Sequence, residues 1–418
     1  MKKCTHPLLM GIVCLCLSMA PKTLFASHIV GADLRYQWVS DSTYKVILML
    51  YGDCSSTTGS YPTLAVATPQ ICIFDGGTSV SNITLTLVAP LCGFEVTPLC
   101  PGDTSTCTAI THTIPGINRF TYTGTYTLPH ASAVWRFVYE GNNGTTSASY
   151  SCPGTTIGTG TGTPAQAGRT ASITNLTSAG ATEIQLIDTL NSTIGHNTSA
   201  DLTVAQQTFF CNNSHDEYDP GVTDPDGDSV YISLIAATNG TGACGTVGGA
   251  VSYSGNAWPG TPLSGDEPLQ VVADSFSINH HTGRLSFHPN VVQRSVVVYN
   301  VDEYRLGVKV GTSQREMTVL AITCGLGFPC GSPTLQTAEN ELKNYVDIYP
   351  NPAGNELNIR TGDTYSSFTI TDVLGRQLSH GTITGMQNTI DIHSLPAGVL
   401  YISLDGKNGT VTRNFVKK

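Results

Sequence analysis

Phe120-Thr121-Tyr122-Thr123-Gly124-Thr125-Tyr126-Thr127-Leu128 carries a threonine at every second position, with aromatic residues at most of the positions between. A period of two is the pattern of a β-strand with one face buried and the other wet, because successive side chains of a strand point to opposite sides. The same alternation appears on either side of it. Ile83-Thr84-Leu85-Thr86-Leu87 is a short copy, Tyr44-Lys45-Val46-Ile47-Leu48-Met49-Leu50-Tyr51 is a denser apolar run, and Trp135, Phe137 and Tyr139 alternate in turn. These runs predict a β-sandwich-like unit over residues 27–200 with an aromatic-rich core, in which Trp135, Phe137 and Tyr139 are core rather than a stacking platform for a ligand.

Composition agrees with that reading for the rest of the chain. Only 12% of the 418 residues are charged, while glycine alone accounts for 43. Long helices stabilised by charge pairs are disfavoured and short strands joined by turns are favoured, so the expected fold class is all-β. The length exceeds what one core supports, which makes the chain multidomain. A formal net charge of −10 offers no basic footprint for a phosphate backbone and excludes nucleic acid as the expected partner.

Residues 1–26 begin with Lys2 and Lys3, continue through an apolar run from Leu8 to Met19 and end on the small Ala26, which reads as a signal peptide. The run is shorter than the ~20 residues that span a bilayer, and no transmembrane segment is expected in the mature chain. Three of the 13 cysteines lie in this leader. The other ten, Cys54 to Cys330, enter an oxidising compartment and carry no CxxC pair, so they are expected to form disulfides rather than bind metal.

Beyond residue 200 a second unit is expected over 201–328. Residues 154–168, rich in Gly and Thr, read as a long exposed loop ahead of it. Arg294–Asp302 and Thr318–Thr323 read as β-branched strands. Asp224-Pro225-Asp226-Gly227-Asp228-Ser229-Val230-Tyr231, Phe276-Ser277-Ile278-Asn279 and Thr282-Gly283-Arg284-Leu285-Ser286-Phe287-His288-Pro289 resemble bacterial cadherin-like and related immunoglobulin-like repeats. That resemblance implies a Greek-key sandwich. Turn formers with little apolar pattern mark 329–343 as a linker.

From residue 344 the blocks shorten. Val346-Asp347-Ile348-Tyr349-Pro350-Asn351-Pro352, Ile370-Thr371-Asp372-Val373-Leu374-Gly375-Arg376, Ile390-Asp391-Ile392, Leu395-Pro396-Ala397-Gly398-Val399-Leu400-Tyr401 and Phe415-Val416-Lys417-Lys418 are alternating strands closed by Pro, Asn or Gly turns. They predict a small C-terminal β-sandwich of about seven strands over 344–418, with Leu357, Ile359, Phe368, Ile370, Ile390, Ile392, Leu400 and Ile402 facing inward. In order and spacing the blocks resemble the type A C-terminal sorting domain of the type IX secretion system. The resemblance implies a domain recognised by the outer-membrane translocon, and a protein that crosses the periplasm to be secreted or held on the outer cell surface. At the other end, Ser27-His28-Ile29-Val30-Gly31-Ala32, Tyr44 and Tyr51-Gly52-Asp53-Cys54 resemble the start of large surface proteins with the same sorting domain, which commonly have Arg-Asp-Cys in place of Gly52-Asp53-Cys54.

Candidate chemistry concentrates in one acidic stretch, Asp216, Glu217, Asp219, Asp224, Asp226 and Asp228. Carboxylates two residues apart around Gly227 are suited to one hard cation, and Ca2+ is the expected ion, held by Asp224, Asp226 and Asp228. The cadherin-like resemblance suggests a further ligand from Asp302 or Glu303. A solvated Asp-Pro-Asp-Gly turn is the alternative. His280, His281 and His288 read as a polar hairpin turn, and no HExxH, GxSxG or Walker sequence is present. The expected function is therefore a non-enzymatic adhesive or structural surface protein with an extracellular glycan or protein ligand. The alternative is an exported hydrolase acting on polysaccharide or protein.

Overall fold

The computed structural model describes residues 29–54, 61–88, 92–97, 104–107, 116–152, 158–244, 248–323 and 346–418, apart from short breaks at 350–351, 362–364, 373–374, 385–386 and 407–408. The expected signal peptide and linker lie outside the described residues, as do Cys100, Cys324 and Cys330. Strands dominate throughout, and the chain divides into two compact units, Met1–Ser332 and Pro333–Lys418.

The first unit is organised by one strand, Val308–Ile322, whose central ten residues Val310–Val319 are all buried. One of its edges pairs along nearly its whole length with Gln293–Arg305, which in turn pairs with Ser229–Ile235. The other edge is shared in series by three strands. Leu190 and Thr189 pair with Gly311 and Thr312, Gly31–Leu34 with Gln314–Met317, and Phe209–Cys211 with Leu320–Ile322. Two layers therefore diverge from a single edge. One runs through Leu186–Leu190, Trp135–Tyr139, Gln70–Asp75 and Thr78–Thr84; the other runs through Ile29–Ser40, Thr43–Asp53, Ile117–Thr127 and Thr86–Leu87.

Between those layers sits an aromatic core that includes Tyr36, Tyr44, Phe120, Tyr122, Trp135, Phe137 and Tyr139, as the alternation predicts. A second core, with Phe210, Tyr218, Leu285, Phe287, Val297, Tyr299, Val301 and Met317, forms where the Val308–Ile322 sheet packs on the smaller sheet of Asp216–Tyr218, Leu285–Phe287 and Ser277–Ile278. The expected division near residue 200 runs between two sandwich-like cores but through others, since Ile173, Leu176 and Ala179 pack with Ala237, Val251 and Val296, and Ile47 and Tyr51 with Phe209. It does not separate two compact units, because Val308–Ile322 from the second half completes sheets of both. Cys72–Cys244 also ties the halves together across a sequence separation of 172, while Cys54–Cys107 and Cys92–Cys152 close loops within the first. Cys211 is disulfide-bonded as well.

The glycine-rich segment departs from expectation. Gly158–Gly162 is a strand paired with Ala148–Cys152, because Gly-Thr-Gly-Thr-Gly itself has period two and Gly160 lies under the Tyr150 ring, where a Cβ would come within 2.6 Å of the hydroxyl oxygen.

The terminal unit faces a three-stranded sheet, Val346–Tyr349, Glu356–Thr361 and Gln387–Asp391, with a four-stranded one, Gln377–Thr382, Tyr365–Thr371, Gly398–Gly406 and Gly409–Lys417. All eight residues expected to face inward are in its core. Burying such aliphatic side chains stabilises by roughly 1.5–3 kcal/mol each, and no described cysteine assists.

Candidate binding cleft

The acidic turn comes first, because sequence singled it out. Asp224 Oδ1 accepts from the backbone N–H groups of Asp226 (3.0 Å) and Asp228 (2.8 Å), so its side chain closes the turn that Gly227, at φ +79°, allows. Asp228 is engaged by Arg305 through two bonds, Nε to Oδ1 (2.8 Å) and Nη2 to Oδ2 (2.6 Å). Asp226 lies 3.4 Å from Arg305 Nη2 and accepts from the Thr198 N–H at 2.6 Å. The positive charge facing these carboxylates is thus a guanidinium of the chain itself.

Asp302 does not join them. It accepts from Lys309 (2.6 Å), Asn300 (2.9 Å) and Thr312 (3.0 Å), since adjacent strand residues face opposite ways. Its neighbour Glu303 turns inward instead, accepting from the Ala200 N–H and the Asn197 amide. Burial, with smaller contributions from the charges of Asp224 and Asp228, pushes its carboxyl up to about 8. Asp216 is buried and accepts from the Cys211 N–H, whereas Glu217 and Asp219 pair with exposed Arg284. Among the described residues no group of three or more His, Cys, Asp or Glu side chains is arranged to hold a metal ion.

Arg305 extends the site beyond the turn. Its Nη1 donates to the His196 carbonyl at 2.7 Å and its Nη2 to Asn197 Oδ1 at 3.2 Å, fixing the 195–198 loop. That loop forms one wall of a cleft of about 310 Å³. Asp41 and Ser42, at the tip of the hairpin joining the first two strands, form another wall, and Leu128, Pro129, His130 and Ala131 a third. The tip is braced by Trp38, whose Nε1 donates to the Asp41 carbonyl at 3.0 Å, and Asp41 takes φ +46°, which aspartate tolerates. The His196 imidazole lies flat on Trp38, with centroids 4.0 Å apart and planes 19° from parallel. Tyr44 lines the cleft from below, and desolvation raises its hydroxyl above the ordinary range.

A serine, a histidine and an aspartate also meet at the rim. His130 Nε2 lies 3.0 Å from Asp75 Oδ2, but Ser132 Oγ donates to Asp75 Oδ1 at 2.6 Å. In a nucleophilic triad the histidine stands between hydroxyl and carboxylate. Here the carboxylate stands between the other two, held below its usual range by Ser132 and then His130, so the trio fixes a loop. His280 stacks on Tyr231 and bonds the Ile232 carbonyl, which is the polar-turn reading.

Sequence reasoning raised Glu303 only as an alternative to Asp302, and missed Arg305, His196 and Asp41 as members of one site. Each is an ordinary residue locally, and only the strand pairings bring them together.

Residues 347–418 match the family described as "Secretion system C-terminal sorting domain". No curated protein matches the chain. Similar solved structures include the CD2-binding domain of CD58 (9% identity, TM-score 0.14), covering 50% of this chain and 96% of that one. The N-terminal four immunoglobulin domains of a Dscam1 isoform give 9% identity and a TM-score of 0.15, covering 56% of this chain and 53% of that one. Three domains of titin give 9% identity and a TM-score of 0.14, covering 93% of this chain and all of that one. At such scores the strand arrangement of this chain rests on its own pairings.

Proposed function

We propose that the chain is a non-enzymatic exported surface protein, in which the first unit binds an extracellular ligand and the terminal unit supplies the export address. The terminal unit is a type IX secretion sorting domain, and the chain carrying it is destined for the cell surface or the medium. The observation that carries the proposal is that this unit keeps a core of its own, so it can be read by the translocon after periplasmic passage while the first unit is passenger. Removing residues 344–418 is expected to leave the protein in the periplasm; its normal appearance outside the cell would refute the reading.

For the first unit, the cleft and its braced loop support binding, and the wiring of Ser132, Asp75 and His130 speaks against nucleophilic hydrolysis. Glycan and matrix-protein binding by the purified mature chain is the direct measurement, and turnover of a polysaccharide or protein would establish the hydrolase instead. Calcium has one observation in its favour: among the described residues Asp224 Oδ2 is buried without a hydrogen-bond partner, in the turn that also carries Asp226 and Asp228. A rise in melting temperature at millimolar calcium, abolished by Asp224→Asn, is the expected sign, and an unchanged melting temperature removes the ion from the account.

A further inference from the structure

We propose that the cleft between the Asp41–Ser42 hairpin tip and the 195–198 loop is a subsite for a single neutral sugar ring. The inference rests on the ligand-binding reading of the first unit and names the ligand class. Size sets the first limit. At about 310 Å³ the cleft is at the lower end of the ~300–1,000 Å³ of ligand pockets, so it takes one ring rather than a folded partner.

Charge sets the second limit. Among the described residues no lysine or arginine lines the cleft, and Arg305, which braces its 195–198 wall, is spent on Asp226, Asp228, Asn197 and the His196 carbonyl. With the Asp41 carboxylate at the mouth, phosphate, sulfate and carboxylate ligands are repelled. Hydrogen-bonding capacity sets the third. Among the described residues the side chains of Asp41, Ser42 and His196 have no hydrogen-bond partner, although all three line the cleft. Asp41 offers two acceptor oxygens that can take adjacent hydroxyls, Ser42 donates and accepts, and a neutral imidazole does one of each.

A polyol needs such a mixture of donors and acceptors, whereas an ammonium group would use acceptors alone. Leu128, Pro129 and Ala131 complete the match as an apolar wall for the C–H face of a ring. His196 is held for this purpose twice over, by its ring on Trp38 and its carbonyl on Arg305.

The test is saturation-transfer NMR on the mature full chain with methyl α-mannoside, methyl β-galactoside and N-acetylglucosamine, with acetyl-lysine methylamide as the cationic control. At least one glycoside should receive saturation from the wild type, and Asp41→Asn should weaken its binding tenfold or more. Asparagine tolerates the same positive φ, so an unchanged melting temperature shows that the hairpin tip persists. His196→Ala should weaken the same glycoside. Transfer to none of the glycosides, equal binding by Asp41→Asn, or binding of the lysine amide alone each overturns the proposal. If cells displaying the chain still adhere to a protein-coated surface while no glycoside binds, the sugar subsite fails and the surface-binding function stands.

Discussion

The two units solve the same problem, burying antiparallel sheets, in opposite ways. The terminal unit does it with mainly apolar side chains on alternating positions, and among its described polar and charged residues only Thr361 and Lys417 are buried. The first unit threads a polar sequence through its middle: Thr312, Ser313, Gln314, Arg315 and Glu316 are all buried, in the strand to which both halves attach. Each is satisfied from a different part of the chain. Arg315 makes a two-bond pair with Asp33 (2.7 Å each) and donates to Tyr218, Val204 and Leu202. Glu316 makes a two-bond pair with Arg169 (2.8 and 2.7 Å), and the Gln314 N–H donates to Asp188. Apolar packing is tolerant of its partners. A buried ion pair is not, because its members are costly in low dielectric unless each meets its own counterpart.

The largest effect that follows is at Arg315. Replacing it with Met strands the Asp33 charge and should destabilise the first unit by about 3–5 kcal/mol, while Asp33→Leu together with Arg315→Met should recover much of the loss. Urea unfolding of the three variants decides this, and a double variant as unstable as the single one would show that the pair itself is stabilising. In the terminal unit Leu357→Ala opens a cavity beside the buried aliphatic side chains of its core and should cost about 2–4 kcal/mol. That loss should appear only in the transition of residues 333–418; movement of the other transition would mean the units are not independent.

Next in size is the pH response of Glu303, for which the terminal unit has no described counterpart. In the unfolded chain a glutamate ionises near ~4.3, while in the folded first unit Glu303 holds its proton to about 8. The folded state therefore binds more protons across that window. The stability this group contributes is full below the unfolded value and is lost as pH rises towards 8, by an amount on the order of a few kcal/mol. Glu303→Gln should flatten the fall in melting temperature between these limits, and an unaltered slope would assign it to other groups.

The smallest effect is at Leu306. It sits fully exposed at φ +50° in the Arg305–Val308 turn, next to Gly307 at φ +79°, a pair of conformations that favours Asn-Gly. Leu306→Asn should stabilise the first unit by roughly 0.5–1 kcal/mol, and a loss of stability would mean that the leucine makes a contact its exposure does not reveal.

Much of this could be read from the sequence where pattern and environment agree. The inward set of the terminal unit, the aromatic alternation around Phe120 and the Asp224–Asp228 turn follow from spacings of two and from turn residues, which act over a few positions. What carries no such pattern is Val308-Lys309-Val310-Gly311-Thr312-Ser313-Gln314-Arg315-Glu316. Its polar letters carry no strand signal, and only the Thr318–Thr323 end was legible. The same limit applies near the acidic turn, where sequence offers Asp302 or Glu303 and only the strand's pleat decides, sending Asp302 away and turning Glu303 inward.

Sequence alone determined the β class, the address at the end of the chain and the residues that fill the terminal core, because hydrophobic burial and turn geometry are local and forgiving. Tertiary structure alone decided that the strands between Ile29 and Ile322 close around one shared strand, that Arg305 answers the aspartates, and that Asp41 and His196 face one cleft. Those outcomes depend on charges and hydrogen bonds between residues 28 to 282 positions apart, and no short-range pattern encodes which distant partner will neutralise a buried group.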